Sequence, residues 1–98
     1  LARSRNLWER RIAIVATQHL IRHDEFHDTL QLAAALVRDK EDLIHKATGW
    51  MLREVGKRDK RTLTKFLDRY AAKLPRTALR YSLERLTPRE RKHYMEAE

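Results

Sequence analysis

The residues best suited to bind a ligand surround Trp50. Lys46 precedes Trp50 by four positions, Arg53 follows it by three and Lys57 by seven. On a helix these spacings place all four side chains on one face. A tryptophan among cations suits a stacking platform for a base or a sugar. The alternative is a tryptophan packed between helices, with neighbouring cations that are simply solvated.

Arg11 is the second candidate. It follows Trp8 by about one helical turn and directly precedes residues 12–16, the most apolar run in the chain. Its guanidinium should therefore be partly shielded, and its planar fork of donors can grip a phosphate or a carboxylate through two hydrogen bonds. The alternatives are a structural pair with a carboxylate such as Glu54, or extension of the guanidinium to the surface.

The other chemistry-bearing residues form no complete catalytic constellation. His19, His23 and His27 are four apart, but Asp24 is expected to break the helix between the last two, and a metal site needs a third converging ligand. The absence of cysteine excludes disulfides, thiolate zinc sites and a cysteine nucleophile. There is no Gly-rich phosphate loop and no nucleophile elbow. We predict no metal site and no catalytic residue within this chain.

Positive charge is concentrated in the second half of the 98 residues. The formal net charge is +8, of which residues 1–50 carry +1 and residues 51–98 carry +7. A pI near 10.3 favours a polyanionic partner, and nucleic acid is the first candidate. No apolar run approaches the ~18–20 residues of a membrane span. We expect a soluble protein of the cytoplasm without a membrane partner.

Start and stop signals predict six helices and an all-α fold. Charged residues make up 37% of the chain, with only two Gly and two Pro, which suits helices with solvated faces. Capping boxes open the first and last helices, and a left-handed glycine is expected to end the third. The predicted helices run from Asn6 to about Arg22, from Asp24 to about Val37, from Asp39 to Gly56, from Asp59 to about Lys73, from Pro75 onward, and from Thr87 to the end.

Short connections between these helices predict antiparallel hairpins. Three hairpins in a row indicate a HEAT-like solenoid, in which each pair buries its apolar face on the next, and a compact six-helix bundle is the alternative. In stacked hairpins the first, third and fifth helices share one layer, which nucleic acid is expected to meet. That layer carries the candidates Trp8, Arg11, Lys46, Trp50, Arg53, Arg76 and Arg80.

The two ends of the chain differ in apolar character. Residues 12–16 make the first helix apolar on more than one face, which is typical of a helix with neighbours on both sides. The last helix is nearly all polar, as expected of a terminal cap. The chain also begins with Leu rather than Met. We therefore expect residues 1–98 to be the C-terminal part of a single HEAT-like domain whose N-terminal repeats are absent.

Three segments carry a resemblance to AlkD-type DNA alkylation repair proteins. They are residues 6–14 (NLWERRIAI), 42–57 (DLIHKATGWMLREVGK) and 75–81 (PRTALRY). The resemblance covers almost the whole chain, and the string K-A-x-G-W-x-L-R-E is its most specific part. It implies a HEAT-like solenoid and a DNA glycosylase that excises N3- or N7-alkylated purines. It also implies alkylated double-stranded DNA as the partner and no metal or organic cofactor.

The resemblance gives roles to the two candidate centres. Arg11 matches the family's cleft arginine, which holds a phosphate, and Trp50 matches the cleft tryptophan that packs on the deoxyribose. The family's catalytic aspartate lies in an upstream Trp-rich motif that nothing here matches, so the enzyme assignment stays open for this chain. The alternative is a non-catalytic HEAT-like module that binds nucleic acid or protein. Association with the bacterial nucleoid is a further expectation, and the oligomeric state is left open.

Overall fold

The computed structural model describes residues 4–97, and every regular element within that range is an α-helix. The all-α prediction is confirmed. None of these helices is long and apolar enough to cross a membrane. The helices between residues 4 and 97 are α1 (Leu7–Val15), α2 (Gln18–Arg22), α3 (His27–Ala35), α4 (Asp42–Arg58), α5 (Lys60–Tyr70), α6 (Arg76–Ser82) and α7 (Pro88–Met95).

A turn at Ala16 and Thr17 divides the first predicted helix into α1 and α2. The Thr17 hydroxyl donates to the Ile14 carbonyl at 2.7 Å. The Thr17 N–H donates to the same carbonyl at 3.2 Å. A threonine that bonds back to the preceding turn competes with the regular backbone ladder and bends the helix. The apolar pattern runs through this bend, which is why periodicity predicted one continuous helix.

Asp24 ends α2, whereas the sequence pattern placed it at the start of the next helix. Its φ is 59°, in the left-handed region. The Asp24 N–H donates to the Ile21 carbonyl and the Glu25 N–H to the Leu20 carbonyl, both at 2.9 Å. These are the two bonds of a Schellman motif, whose left-handed position tolerates a short polar side chain. The next helix, α3, begins at His27.

Gly56 lies inside α4, so the predicted left-handed cap at this position is wrong. Helix α4 continues to Arg58, and no described glycine has a positive φ. A Cβ added at Gly56 would stand 2.5 Å from Leu63 Cδ2. The missing side chain therefore serves the close packing of α5 on α4.

The predicted starts at Asp59 and Thr87 are confirmed. Asp59 Oδ1 accepts a hydrogen bond of 3.3 Å from the Thr62 N–H and caps α5. Thr87 and Glu90 exchange both hydrogen bonds of a capping box at the start of α7. The Lys60 ammonium lies 2.8 Å from Glu90 Oε1. This hydrogen bond is the main reason that the pKa of Glu90 is lowered to about 2.

Helix α4 is the centre of the fold, since it packs against α1, α2, α3, α5 and α6. Ile44, Met51 and Val55 belong to the apolar core that α4 shares with α1 and α2. Leu52, on another face of α4, belongs to the core built with α5, α6 and α7. Helices α1, α4 and α6 correspond to the first, third and fifth predicted helices. Both α1 and α6 pack against α4, which is consistent with the predicted layer.

Candidate nucleic-acid interface

A surface pocket of about 310 Å³ opens where α1, α4 and α6 meet. It contains four of the eight residues that the sequence singled out. Helix α1 contributes one arginine, α4 contributes two cations and a tryptophan, and α6 contributes a tyrosine. The lining consists of Arg11, Leu43, Lys46, Ala47, Trp50, Arg53 and Tyr81.

The spacing of the α4 residues explains why they share this pocket. Leu43, Lys46, Ala47, Trp50 and Arg53 repeat at intervals of three and four residues, which is the repeat of one helix face. Trp50 is half-buried and packs on the core beneath it, while it lines the pocket above. The ring is therefore held in place before a ligand arrives, which lowers the entropic cost of binding.

Arg10 fixes the rotation of α1 and thereby directs Arg11 to the pocket. Arg10 Nε donates to Asp39 Oδ2 at 2.7 Å, and the two side chains are only 14% and 8% exposed. Because successive helical residues point ~100° apart, Arg11 then turns away from this pair. Arg11 is half-buried, and no ion pair joins it to a carboxylate among residues 4–97. Glu54, the partner considered from the sequence, binds Lys57 at 3.1 Å instead.

The other two cations of the pocket have carboxylate partners at the surface. Arg53 Nη1 lies 2.7 Å from Glu84 Oε2, and Lys46 Nζ lies 3.2 Å from Asp42 Oδ2. Surface ion pairs of this kind contribute only ~0–1 kcal/mol. A phosphate can therefore replace either carboxylate at small cost.

Tyr81 is the pocket residue that sequence analysis missed. It reaches the pocket because α6 crosses α4 at Gly49, directly before Trp50. A Cβ on Gly49 would stand 2.5 Å from Tyr81 Cβ and 2.6 Å from the Ala78 carbonyl oxygen. The available signal was a glycine inside a helix, which costs ~1 kcal/mol relative to alanine and usually has a packing reason. Nothing in the sequence indicates that its partner is at position 81.

The other four predicted residues lie outside the pocket lining. Trp8 is 60% exposed on α1, Lys57 is exposed near the end of α4, and Arg80 is exposed on α6. The Arg76 guanidinium donates to the Met95 carbonyl at the end of α7. A part for these four in ligand binding stays a prediction.

The lining of the pocket supplies no carboxylate. No group of three His, Cys, Asp or Glu side chains within residues 4–97 could hold a metal ion. His19 and His23 instead pack edge to face, with ring centroids 4.6 Å apart. The lining combines donors for charge-assisted hydrogen bonds with aromatic surface. This arrangement suits an anionic group attached to a flat or ring-shaped group.

The fold and the pocket define an all-helical protein with a basic, aromatic-lined surface site. A family described as DNA alkylation repair enzyme matches residues 1–86. The chain belongs to that family. This membership supports a role in DNA repair and suggests DNA as the partner. No curated protein and no solved structure matches the chain.

Proposed function

We propose that this chain forms the DNA-binding side of an AlkD-type DNA glycosylase site, in the C-terminal part of a HEAT-like solenoid. The proposed substrates are N3- and N7-alkylated purines in duplex DNA. The observation that carries the proposal is the convergence of Arg11, Lys46, Trp50 and Arg53 in one pocket. Family membership supports the choice of DNA and of alkylation damage.

In this proposal the pocket holds the alkylated nucleotide by its sugar and its phosphates. Trp50 packs on the deoxyribose, since its ring is braced by the core and borders the pocket. Arg11 binds the adjoining phosphate through two N–H donors. Lys46 and Arg53 exchange their surface carboxylates for further phosphates.

Excision of the base requires a group that this lining lacks. Departure of an alkylated purine leaves positive charge on the sugar, which a nearby carboxylate stabilises. The seven lining residues include no Asp or Glu, and the family's Trp-rich motif has no match in the sequence. We therefore assign binding and positioning to this chain and assign the carboxylate to that motif, outside these residues.

A non-catalytic HEAT-like module that binds nucleic acid is the alternative. The same absence of a carboxylate from the lining favours it. Both functions require DNA binding, and they differ in whether a version of the protein with the Trp-rich motif releases a base. Joining that motif to this chain and testing base release would separate them.

The function predicts salt-dependent binding to duplex DNA without base release. Four or five phosphate contacts correspond to a slope of about −4 in log K against log salt. We expect this slope for an unmodified duplex and for one with 7-methylguanine, because phosphates dominate the contact. Fluorescence anisotropy between roughly 50 and 200 mM salt measures the slope. Chromatography of the same mixtures measures free 7-methylguanine.

Two results would contradict this assignment. Binding that does not change with salt would exclude a phosphate interface and favour a protein-binding scaffold. Release of 7-methylguanine by the chain alone would place the catalytic carboxylate within residues 1–98. It would overturn the assignment of that carboxylate to the Trp-rich motif.

Glu84→Gln should strengthen DNA binding, because it removes the shorter of the two ion pairs of Arg53 beside the pocket and leaves only the contact of 3.9 Å with Glu54. We expect roughly threefold to tenfold tighter binding at low salt and an unchanged salt slope, because Arg53 contacts a phosphate in both proteins. Glu25→Gln is the control, since it makes the same change in net charge at an exposed carboxylate outside this pocket. If the two variants bind alike in titrations at several salt concentrations, Arg53 does not contact phosphate.

A further inference from the structure

A second basic surface, separate from the pocket, runs along α5. Arg61, Lys65 and Arg69 follow one another at intervals of four residues, and Lys73 lies in the turn after the helix. All four side chains are exposed, and we call them the α5 stripe. Residues 57–73 contain seven basic and two acidic residues, so this segment carries +5 of the chain's net +8.

The cations of the α5 stripe lack the carboxylate partners that neighbouring cations have. Lys60 pairs with Glu90 at 2.8 Å, and Arg58 pairs with Asp24 at 2.9 Å. Within residues 4–97, no stripe cation forms an ion pair. The stripe therefore presents uncompensated positive charge to solvent.

The two acidic residues of this segment are engaged elsewhere. Asp59 caps α5 through the Thr62 N–H. Asp68 Oδ1 accepts a hydrogen bond of 2.8 Å from the Tyr94 hydroxyl. Burial, and then the bond to Asp68, raise the pKa of Tyr94 to about 12, so the phenol keeps its proton at neutral pH. Both carboxylates keep their charge, but neither forms an ion pair with a stripe cation within residues 4–97.

Helix stability does not account for the α5 stripe. Like charges four residues apart destabilise a helix, so the pattern opposes the formation of α5. The last two cations are nevertheless held together over one ring: the Arg69 guanidinium lies 5.4 Å and the Lys73 ammonium 5.9 Å from the centroid of Tyr70. Successive cations are roughly 6 Å apart along the helix. An ordered row of charges on this scale suits the regularly charged backbone of a nucleic acid strand.

The α5 stripe and the pocket face different directions. Helix α5 packs on α4 at Leu52 and Gly56. These positions are roughly 120–160° around the α4 axis from Trp50. No α5 side chain lines the pocket. A short duplex in the pocket would therefore leave the stripe open.

We propose that the α5 stripe binds the phosphate backbone of a second DNA segment, independently of the pocket. The unpaired cations of the stripe are complementary in charge to a phosphate backbone, and the chain belongs to a DNA alkylation repair family. A protein with two such surfaces holds one duplex at the pocket while it keeps contact with another. We expect no recognition of base sequence by the stripe, because its ammonium and guanidinium groups are suited to phosphates.

The test compares a stripe variant with a charge-matched control in the 98-residue chain. Short unmodified duplexes, one carrying a donor dye and one an acceptor dye, report bridging through energy transfer, and calorimetry gives the number of duplexes bound. The stripe variant carries Arg61→Gln, Lys65→Gln and Arg69→Gln. The control carries Arg22→Gln, Arg38→Gln and Lys40→Gln, at exposed positions outside the pocket lining and the stripe.

The wild type and the control should bind two duplexes and bridge them, whereas the stripe variant should bind one. Binding of the second duplex, which the stripe variant loses, should have a salt slope of about −2 to −3, as three phosphate contacts require. The stripe variant should melt close to the wild-type temperature, because the repulsion it removes within α5 offsets the lost contact of Arg69 with Tyr70. Arg11→Ala should weaken the pocket site and leave the second duplex bound. This result separates failure of the stripe from failure of the pocket.

Two outcomes would overturn the proposal. One is equal stoichiometry and equal bridging for the stripe variant and its control. The other is that the wild type binds a single duplex, and that the wild type and the control bind phosphatidylserine vesicles whereas the stripe variant does not. That result would assign the stripe to an anionic membrane surface.

Discussion

Gly49→Ala should destabilise the protein by about 2 kcal/mol and lower Tm by roughly 8–16 °C. The new methyl group would stand 2.5 Å from Tyr81 Cβ and 2.6 Å from the Ala78 carbonyl oxygen. Neither atom can move without displacing the backbone of α6. Overpacking against backbone lies at the upper end of the range of about 1–3 kcal/mol, and the better helix propensity of alanine returns ~1 kcal/mol, which leaves about 2 kcal/mol. Thermal unfolding followed by circular dichroism measures the change.

Gly56→Ala is the matched control for this prediction. The atom nearest to its added methyl group is Leu63 Cδ2, the end of a flexible side chain. A rotamer change can relieve that contact, and the gain in helix propensity is the same. We expect a stability within about 0.5 kcal/mol of the wild type. Equal losses in both variants would show that the crossing of α4 and α6 is not especially close.

Trp50→Ala should reduce affinity for a duplex with 7-methylguanine by about 1–3 kcal/mol, or roughly 5- to 150-fold. The reason is the loss of the aromatic surface that borders the pocket. A fully buried tryptophan would cost ~3–5 kcal/mol of folding stability when truncated. Trp50 is only half-buried, so its loss should lower Tm less than that. Titrations and melting curves on the same preparations measure both quantities.

Phe26→Ala controls for lost stability in the test of Trp50. Phe26 is also half-buried and packs against the same core, but it lies outside the pocket. Its truncation should lower Tm without lowering affinity for the lesion. If the two variants lose stability to the same degree and both bind DNA normally, Trp50 is a structural residue.

Arg11 can be tested in the same titrations. Arg11→Ala should weaken binding and reduce the salt slope by about one, as the loss of one phosphate contact requires. Arg11→Lys should restore the slope better than the affinity for the lesion, because an ammonium supplies charge without the planar fork. An unchanged slope in Arg11→Ala would remove this arginine from the interface.

Much of the candidate site could be predicted because its residues share one helix. The spacing of Lys46, Trp50 and Arg53 fixes their common face whatever surrounds α4. The caps at Asp59 and Thr87 were predictable for the same local reason, since each acts on backbone groups within three residues. The predictions that the fold confirms are thus those that depend only on residues close together in sequence.

The features that were missed depend on contacts distant in sequence or on competing local bonds. Tyr81 comes to the pocket only through the crossing at Gly49, 32 residues earlier. Gly56 resembles a helix end in the sequence, yet its role is to admit Leu63 from the next helix. Asp24 suits either a helix start or a left-handed end, and the backbone bonds from α2 decide between them. Periodicity contains none of this information.

The central place of α4 also determines how the molecule opens. Elements with few contacts separate first in a folded protein. Helix α4 packs against at least five of the other six described helices, so we expect it to be released only when the whole structure unfolds. We therefore expect the segment that carries Trp50 and Arg53 to exchange its amide hydrogens most slowly. In the proposed function DNA meets a pocket surface that is already formed, so we expect diffusion and electrostatic steering, rather than a folding step, to set its association rate.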